Sequence, residues 1–245
     1  MRADSSSSVS VRQTLVTWWN DNLPRAGFWP TLRCFIASLW AFLRESTPEQ
    51  RRRRYGDVEY DWDHRVDTTG ATVGWRDRLL GVFHSAYQPT EPAAFHEMLQ
   101  ALPIDYREFT FIDLGSGKGR TLLMASDYPF RRILGVELLP ELHSVACENL
   151  QKYRSPKQKC FALESVCGDA RTFEFPAEPL VLYLFNPLPE VALAEVTLRL
   201  QHSLTQNPRK VFVLYHNPLL ERVLASSDRL RKIVGSLQYS VYESV

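Results

Sequence analysis

The residues best suited to chemistry lie in one short segment, residues 111–120, with the sequence FIDLGSGKGR. Its first half is apolar around a single acid, Asp113, and its second half carries a glycine at every other position. This order is typical of a buried strand that ends in a tight turn at the N-terminus of a helix. Because glycine has no Cβ, its backbone can approach a ligand closely. The segment therefore predicts a site for a nucleotide-like cofactor.

The glycine spacing distinguishes between three kinds of cofactor site. A dinucleotide site needs a glycine at the sixth position counted from Gly115, where this chain has Arg120. A phosphate-binding P-loop needs a glycine at position 112, where this chain has Ile112, and Ser or Thr at position 119, where it has Gly119. The third pattern, acid-x-Gly-x-Gly-x-Gly, fits residues 113–119 at every position. It resembles the first motif of the class I S-adenosylmethionine (SAM) methyltransferases. The alternative is a tight turn that binds nothing.

The resemblance implies a set of cofactor contacts along the predicted sheet. Glu137 ends a second apolar strand about 20 residues beyond the turn, where this architecture holds ribose hydroxyls. Without a ligand it would be a helix-start acid. Asp169 and Ala170 follow a third strand and resemble the corner that binds adenine. The implied cofactor residues of the glycine turn are Asp113, Gly115, Ser116, Gly117, Gly119 and Arg120.

A fourth strand, residues 180–185, ends in Asn186 and Pro187. This ending resembles the Asn-Pro-Pro-aromatic motif of amino-methyltransferases, which implies that Asn186 contacts both cofactor and nucleophile. The chain departs from the motif, because Leu188 replaces the second proline and Pro189 the aromatic. That aromatic stacks on a flipped base, so its loss argues against a nucleic acid acceptor.

A Tyr-x-Pro-Thr segment at residues 87–90 precedes the glycine turn. It resembles the entry segment of some seven-stranded protein-lysine methyltransferases, in which it closes over the methionine end of SAM. Tyr87 is therefore grouped with Asn186 and Pro187 as a predicted catalytic residue.

The succession of strands and helices predicts an α/β fold. We expect a Rossmann-like, seven-stranded, mostly parallel sheet with a C-terminal antiparallel hairpin and an N-terminal helical extension. The predicted regions are 1–50, a helical extension; 51–86, a linker or lid; and 87–245, the SAM-binding domain. Residues 59–70 show little helical pattern and form either a lid over substrate or an inert loop.

The N-terminal extension contains two predicted helices, at residues 9–20 and 30–45, and the second has a wide apolar stripe. Its apolar core is about half a membrane span and is bounded by Arg33, so we expect no transmembrane helix. Docking on the catalytic domain is the first expectation. Contact with a membrane surface or a second subunit is the alternative, and the sequence does not specify the oligomeric state.

Composition narrows the class of protein further. A net charge of +1 over 245 residues argues against a general electrostatic attraction for nucleic acid. Four cysteines without metal spacing suggest no metal site and reduced core thiols, which predicts a cytoplasmic protein.

These patterns predict a SAM-dependent methyltransferase that acts on a nitrogen nucleophile, with a lysine-like protein group first and a small molecule second. A dry site lined by Tyr87, Tyr183 or Tyr215 would favour the neutral amine. The alternatives are a SAM-binding scaffold or sensor without transferase activity and, more distantly, an NAD-linked enzyme. Nucleic acid is expected to be an unlikely acceptor.

Overall fold

The computed structural model describes residues 11–45, 58–69, 89–185 and 188–245. The helices are α1 Val11–Ala26, α2 Phe28–Glu45, α3 Val58–His64, α4 Pro92–Gln100, α5 Arg120–Ala125, α6 Pro140–Lys152, α7 Glu190–Gln206 and α8 Glu221–Ala225. The strands are β1 Thr110–Leu114, β2 Arg132–Glu137, β3 Leu163–Cys167, β4 Leu180–Phe185, β5 Val211–His216, β6 Leu230–Gly235 and β7 Tyr239–Ser244.

These seven strands form one sheet in the order β3-β2-β1-β4-β5-β7-β6. The first five pair in parallel, whereas β7 runs antiparallel to both β5 and β6. The predicted seven-stranded, Rossmann-like fold with a C-terminal hairpin is confirmed.

The sheet has a packed core on each face, which explains why β4 and β5 are apolar almost throughout. Successive residues along a strand point to opposite faces, so neighbouring side chains belong to different cores. Tyr183 of β4 packs in one core with Phe95 and Phe111. Tyr215 of β5 packs in the other with Leu184. Tyr183 and Tyr215, two of the three alternatives offered for lining the dry site, therefore lie on opposite faces of the sheet.

The strand order changes direction between β1 and β4, which are neighbours in the sheet. In open α/β sheets, ligands bind outside the carboxyl ends of the strands at such a switch point. Asp113 pairs with Tyr183 here, so the glycine turn after β1 and the end of β4 lie side by side. The fold thus brings the glycine turn and the end of β4 to one edge of the sheet.

Residues 58–64 form helix α3, against the expectation of little helical structure. The helix is held by contacts distant in sequence. His64 stacks on Tyr153, the residue after α6, with ring centroids 5.4 Å apart, and also on Tyr60 within the helix at 4.4 Å. The Arg120 guanidinium lies over the Tyr60 ring at 4.4 Å. Tertiary packing therefore supplies the order that the local pattern lacks.

The cysteines differ from the expectation of core thiols. Cys160 is buried, but Cys34 and Cys167 are exposed and Cys147 is half-buried. Exposed thiols are not packing residues, so that part of the prediction is wrong.

Helices α1 and α2 form an antiparallel pair joined at Gly27, whose φ is +79°. Helix α2 matches its predicted bounds to within two residues, whereas α1 begins near its predicted start and continues six residues beyond its predicted end at residue 20. The Phe35 ring lies 5.9 Å from Trp18 and 5.8 Å from Trp19, between ring centroids. One side of α2 therefore packs on α1. Within the described part of the chain, no helix is both long enough and apolar enough to cross a membrane.

Candidate functional site

The turn between β1 and α5 has a backbone that favours glycine. Gly115, Gly117 and Gly119 have φ values of +89°, +53° and +82°, in the left-handed region that L side chains rarely adopt. The amides of Gly115 and Ser116 both donate to the Val136 carbonyl, at 2.8 and 3.1 Å. These bonds fix the loop against β2, beside the switch point.

The Ser116 side chain packs inward from this loop. A Cβ added to Gly135 of β2 would lie 2.5 Å from the Ser116 hydroxyl oxygen. The hydroxyl therefore lies against the strand, and Ser116 can offer its backbone to a ligand more readily than its side chain.

Glu137 connects the end of β2 to the glycine loop. Its carboxylate is buried and accepts hydrogen bonds from the amides of Gly117 and Leu139, both at 2.8 Å. A carboxylate can accept about four hydrogen bonds, so it can order a loop and also hold ligand hydroxyls. This geometry suits the ribose role predicted for Glu137.

Asp113 is a buried acid at the end of β1, hydrogen-bonded by the hydroxyl of Thr121 in α5. Burial is the main cause that raises the pKa of Asp113 to about 7; the hydrogen bond from Thr121 opposes this shift, and the nearby Glu137 carboxylate adds a smaller upward contribution. A cation beside Asp113 would reverse part of this shift. The site is therefore suited to a positively charged ligand group such as an ammonium.

A second buried network joins the segment after α3 to the glycine loop. The Lys118 ammonium is buried and donates to the Asp67 carboxylate and the Thr69 carbonyl, both at 2.8 Å. Asn149 of α6 accepts from the Asp67 amide at 2.9 Å and donates to the carbonyls of Asp67 and Lys118, at 2.8 and 2.9 Å. We call Lys118, Asp67, Thr69 and Asn149 the clasp.

The segment in the clasp is itself held in shape by Asp61. This carboxylate accepts from the amides of Thr68 and Thr69, at 2.7 and 2.9 Å. Residues 67–69 are therefore tied by hydrogen bonds to the glycine loop and to α6. Sequence reasoning missed the clasp, and a lysine between two motif glycines was the one available signal.

The predicted adenine corner lies after β3. Ala170 is buried, and the Asp169 carboxylate accepts from the Arg171 amide at 2.8 Å and from its guanidinium at 2.6 Å. Asp169 is thus held in place by Arg171, two residues further on, at the position where the resemblance places the adenine amine.

A chain of three polar groups lies at the carboxyl ends of β4 and β5. The Tyr183 hydroxyl is 3.1 Å from the Thr90 hydroxyl oxygen and 2.8 Å from Nδ1 of His216. The His216 ring stacks on Phe185, with centroids 4.2 Å apart. Burial lowers the pKa of His216 to about 4, so its imidazole is neutral at neutral pH. Sequence reasoning named neither Thr90 nor His216 as a site residue.

The three predicted catalytic residues, Tyr87, Asn186 and Pro187, lie outside the described residues. Among the described residues near them, Thr90 is hydrogen-bonded to Tyr183 and Phe185 stacks on His216. The roles of the three predicted catalytic residues stay predictions.

The site fits SAM on its own chemistry. The positive-φ glycines, the buried acid Asp113 and the Glu137 carboxylate match a ligand with an ammonium and ribose hydroxyls. Among the residues that the structure describes, no group of three or more His, Cys, Asp or Glu side chains could hold a metal ion.

No protein-family model and no curated protein matches this sequence. Solved structures do match. An RNA methyltransferase from Salinibacter ruber in complex with S-adenosyl-L-homocysteine is 23% identical, with a TM-score of 0.41, over 64% of this chain and 92% of that chain. Fibrillarin from Aeropyrum pernix with bound SAM is 17% identical, with a TM-score of 0.43, over 62% of this chain and 74% of that chain.

A predicted N6-adenine-specific DNA methylase from Listeria monocytogenes is 13% identical, with a TM-score of 0.47, over 64% of this chain and 51% of that chain. This chain therefore spans about half the length of that neighbour. At these identities the likeness describes the fold.

One sequence-based prediction about partners needs correction. Structures that match this fold include enzymes named for RNA and DNA methylation, so the prediction that nucleic acid is an unlikely acceptor is wrong. The net charge and the missing motif aromatic are too weak to exclude that class of acceptor. The similarity of residues 87–90 to protein-lysine methyltransferases stays a prediction.

Proposed function

We propose that this protein is a SAM-dependent methyltransferase whose acceptor atom is a nitrogen. The observation that carries the proposal is the hydrogen bond from the Gly117 amide to the buried Glu137 carboxylate, 2.8 Å long. It joins the glycine loop after β1 to the acid after β2, the two elements expected to grip the amino-acid end and the ribose.

Each of the three parts of the cofactor has residues that could hold it. Asp113 and the loop amides would take the charged amino-acid end, Glu137 the ribose hydroxyls, and Asp169 with Ala170 the adenine. Bound SAM supplies an electrophilic methyl group on a sulfonium. The protein needs mainly to orient the acceptor, because an in-line displacement depends on position.

The acceptor would lie beside the carboxyl ends of β4 and β5. Asn186 is proposed to accept a hydrogen bond from the nucleophilic nitrogen, with Pro187 fixing the backbone that presents the neighbouring carbonyl. Tyr87 would close the entrance. Buried Tyr183 and Phe95 exclude water from this side of the sheet, and a dry site favours the neutral amine that can attack. A lysine side chain and a nucleobase amine both offer such a nitrogen.

Titration calorimetry with the full-length protein tests cofactor choice. We expect heat of binding from SAM and from S-adenosyl-L-homocysteine, and none from NAD. Tight NAD binding without SAM binding would refute the cofactor assignment.

Methyl-labelled SAM added to a cell lysate with the protein tests the reaction. If protease treatment removes the label, the acceptor is a protein. If nuclease treatment removes it, the acceptor is a nucleic acid, and label in the low-mass fraction would identify a small molecule. Binding of SAM without any transfer would support a scaffold or sensor instead of an enzyme.

A further inference from the structure

The outer face of α2 is apolar and exposed. Trp29, Ile36 and Trp40 are 72%, 51% and 68% exposed, and at 3.6 residues per turn they fall on one stripe with Arg33 between them. A soluble protein rarely exposes a contiguous apolar patch without a binding role. We call these four residues the outer stripe.

The outer stripe is distinct from the surface by which α2 holds α1. Phe35, on another side of the helix, packs between Trp18 and Trp19. None of residues 15–40 belongs to either core of the sheet. The helical pair therefore satisfies its own packing while two large indole rings remain exposed on its outside.

The N-terminal part of the sequence, which contains this helical pair, carries an excess of positive charge. Residues 1–54 contain nine arginines and four acidic residues, a net charge of +5, which leaves −4 for the rest of the +1 chain. Such asymmetry indicates an anionic partner for the basic part. Within α2, the sequence contains no acid before Glu45.

We propose that the outer stripe docks this protein on an anionic lipid surface. Tryptophan is enriched at membrane–water interfaces, and a helix with an apolar face and flanking arginines lies in the plane of the interface. Arg33, exposed within the stripe, can extend its guanidinium to lipid phosphates while its stem stays among apolar groups.

The same residues disfavour the other occupants. In a symmetric dimer the stripe would face its own copy, so Arg33 would approach Arg33 with no acid on the stripe to compensate. A nucleic acid surface is read by dense phosphate contacts, whereas an isoleucine and two indole rings form most of this face.

Vesicle flotation of the full-length protein tests the proposal. We expect the protein to float with vesicles of phosphatidylcholine and phosphatidylserine, and less with phosphatidylcholine alone or in high salt. The double variant W29S/W40S should lose at least about tenfold in vesicle affinity, because each indole contributes apolar area. Trp62→Ser is the matched control, since Trp62 is 82% exposed on α3. It should bind as the parent does.

The variants change exposed side chains, and unchanged thermal melting and SAM binding would show that they fold. Three outcomes would overturn the proposal. One is no flotation with anionic vesicles, and a second is equal loss of affinity in Trp62→Ser and W29S/W40S. The third is that the parent protein does not bind vesicles but forms a dimer in light scattering, or a complex with RNA, and that W29S/W40S loses this association.

Discussion

The two halves of the carboxyl edge hold their polar groups in different ways. On the β1–β2 side, backbone amides of the glycine loop meet buried carboxylates, as in the bond from Gly117 to Glu137. On the β4–β5 side, three side chains from separate segments, Thr90, Tyr183 and His216, form a hydrogen-bonded chain. On the β1–β2 side, main-chain amides pair with carboxylates, whereas on the β4–β5 side neutral side chains pair with one another.

This difference follows from what each half is proposed to recognise. A fixed cofactor can be held by backbone geometry, which changes little when surface residues change. An acceptor has to be selected, and selection depends on side chains that other segments of the chain deliver. Substitutions on the cofactor side should therefore alter SAM affinity, and those on the acceptor side should alter turnover.

The largest effect is expected from Gly117→Val. A β-branched residue at φ +53° is strained, and its side chain would occupy the space needed for close approach to the ligand. SAM binding measured by calorimetry should fall by at least about a hundredfold, since strain and lost contacts each contribute about 1–3 kcal/mol. Gly27→Val is the control for backbone strain, because Gly27 has φ +79° in the turn between α1 and α2. Near-normal SAM affinity in Gly117→Val would contradict the loop assignment.

Asn186→Ala should separate binding from chemistry. Loss of a positioning contact can slow a reaction about a hundredfold, while SAM affinity stays nearly intact because the side chain is predicted to face the nucleophile. Turnover with the acceptor identified by labelling, or automethylation in its place, gives the rate. Pro187→Ala should act in the same direction and less strongly. If SAM affinity fell together with activity, Asn186 would be a cofactor or folding residue.

Glu137→Ala should weaken SAM by about 1.5–3 kcal/mol, the range for hydrogen bonds to a charged group. Part of the loss would come from the loop, because Glu137 also accepts from the Gly117 and Leu139 amides. Glu137→Gln keeps an acceptor oxygen and should lie between the parent and Glu137→Ala in affinity. An unchanged dissociation constant in a folded Glu137→Ala variant would make this residue a helix-start acid alone.

The β1–β2 side, which is proposed to bind the cofactor, was predictable because its sequence signals are local. Residues 113–119 carry the motif within one turn, and the apolar runs around them identify β1, β2 and β4 almost to the residue. The clasp was not predictable in this way, since Lys118 and Asp67 are 51 positions apart and each looks like an ordinary charged residue. Helix α3 depends likewise on a distant residue, because His64 stacks on Tyr153.

On the β4–β5 side, which is proposed to bind the acceptor, the strand ends were predictable but the directions of the side chains were not. The end of β4 was expected to be the acceptor edge, but side-chain direction depends on strand register. The pairing of Leu184 with Tyr215 places Tyr215 on the face opposite Tyr183, so these two alternatives for the lining of the site belong to different cores.

Binding of SAM should depend on pH through Asp113. Burial raises the pKa of this carboxyl from its ordinary 3.8 to about 7 in the free protein, so below about pH 7 it is mostly protonated and attracts an ammonium weakly. SAM affinity should therefore fall roughly tenfold from about pH 7.5 to pH 6, and binding near pH 6 should release a proton. Calorimetry in buffers of different ionisation enthalpy measures that proton. Asp113→Asn should release none, and proton release that persists in this variant would exclude Asp113 as its source.

The same raised pKa has an opposite effect on the free protein. The folded state holds the Asp113 proton more tightly than the unfolded chain does, so this group stabilises the fold below its ordinary pKa. That contribution is lost as the pH rises through about 7. The free energy of unfolding without SAM should therefore decline over this interval, and Asp113→Asn should flatten the decline.

The smallest effect is expected from Tyr183→Phe, which removes one oxygen from the acceptor half. The variant loses the link between Thr90 and Nδ1 of His216, so the imidazole beside Phe185 is less well held. Turnover should fall several-fold, less than about tenfold, because one neutral hydrogen bond contributes about 0.5–1.5 kcal/mol. SAM affinity should be unchanged.

Tyr215→Phe is the matched control for Tyr183→Phe, since this buried hydroxyl on the opposite face accepts from the Leu220 amide at 3.2 Å. It should lose stability without losing turnover. Burial keeps the pKa of His216 at about 4, so its hydrogen bond is the same throughout the neutral range. The turnover defect of Tyr183→Phe at saturating SAM should therefore be constant between about pH 6 and pH 8, whereas SAM affinity changes through Asp113. A turnover defect equal to that of Tyr215→Phe would assign the Tyr183 chain to folding and leave the acceptor half to Asn186 alone.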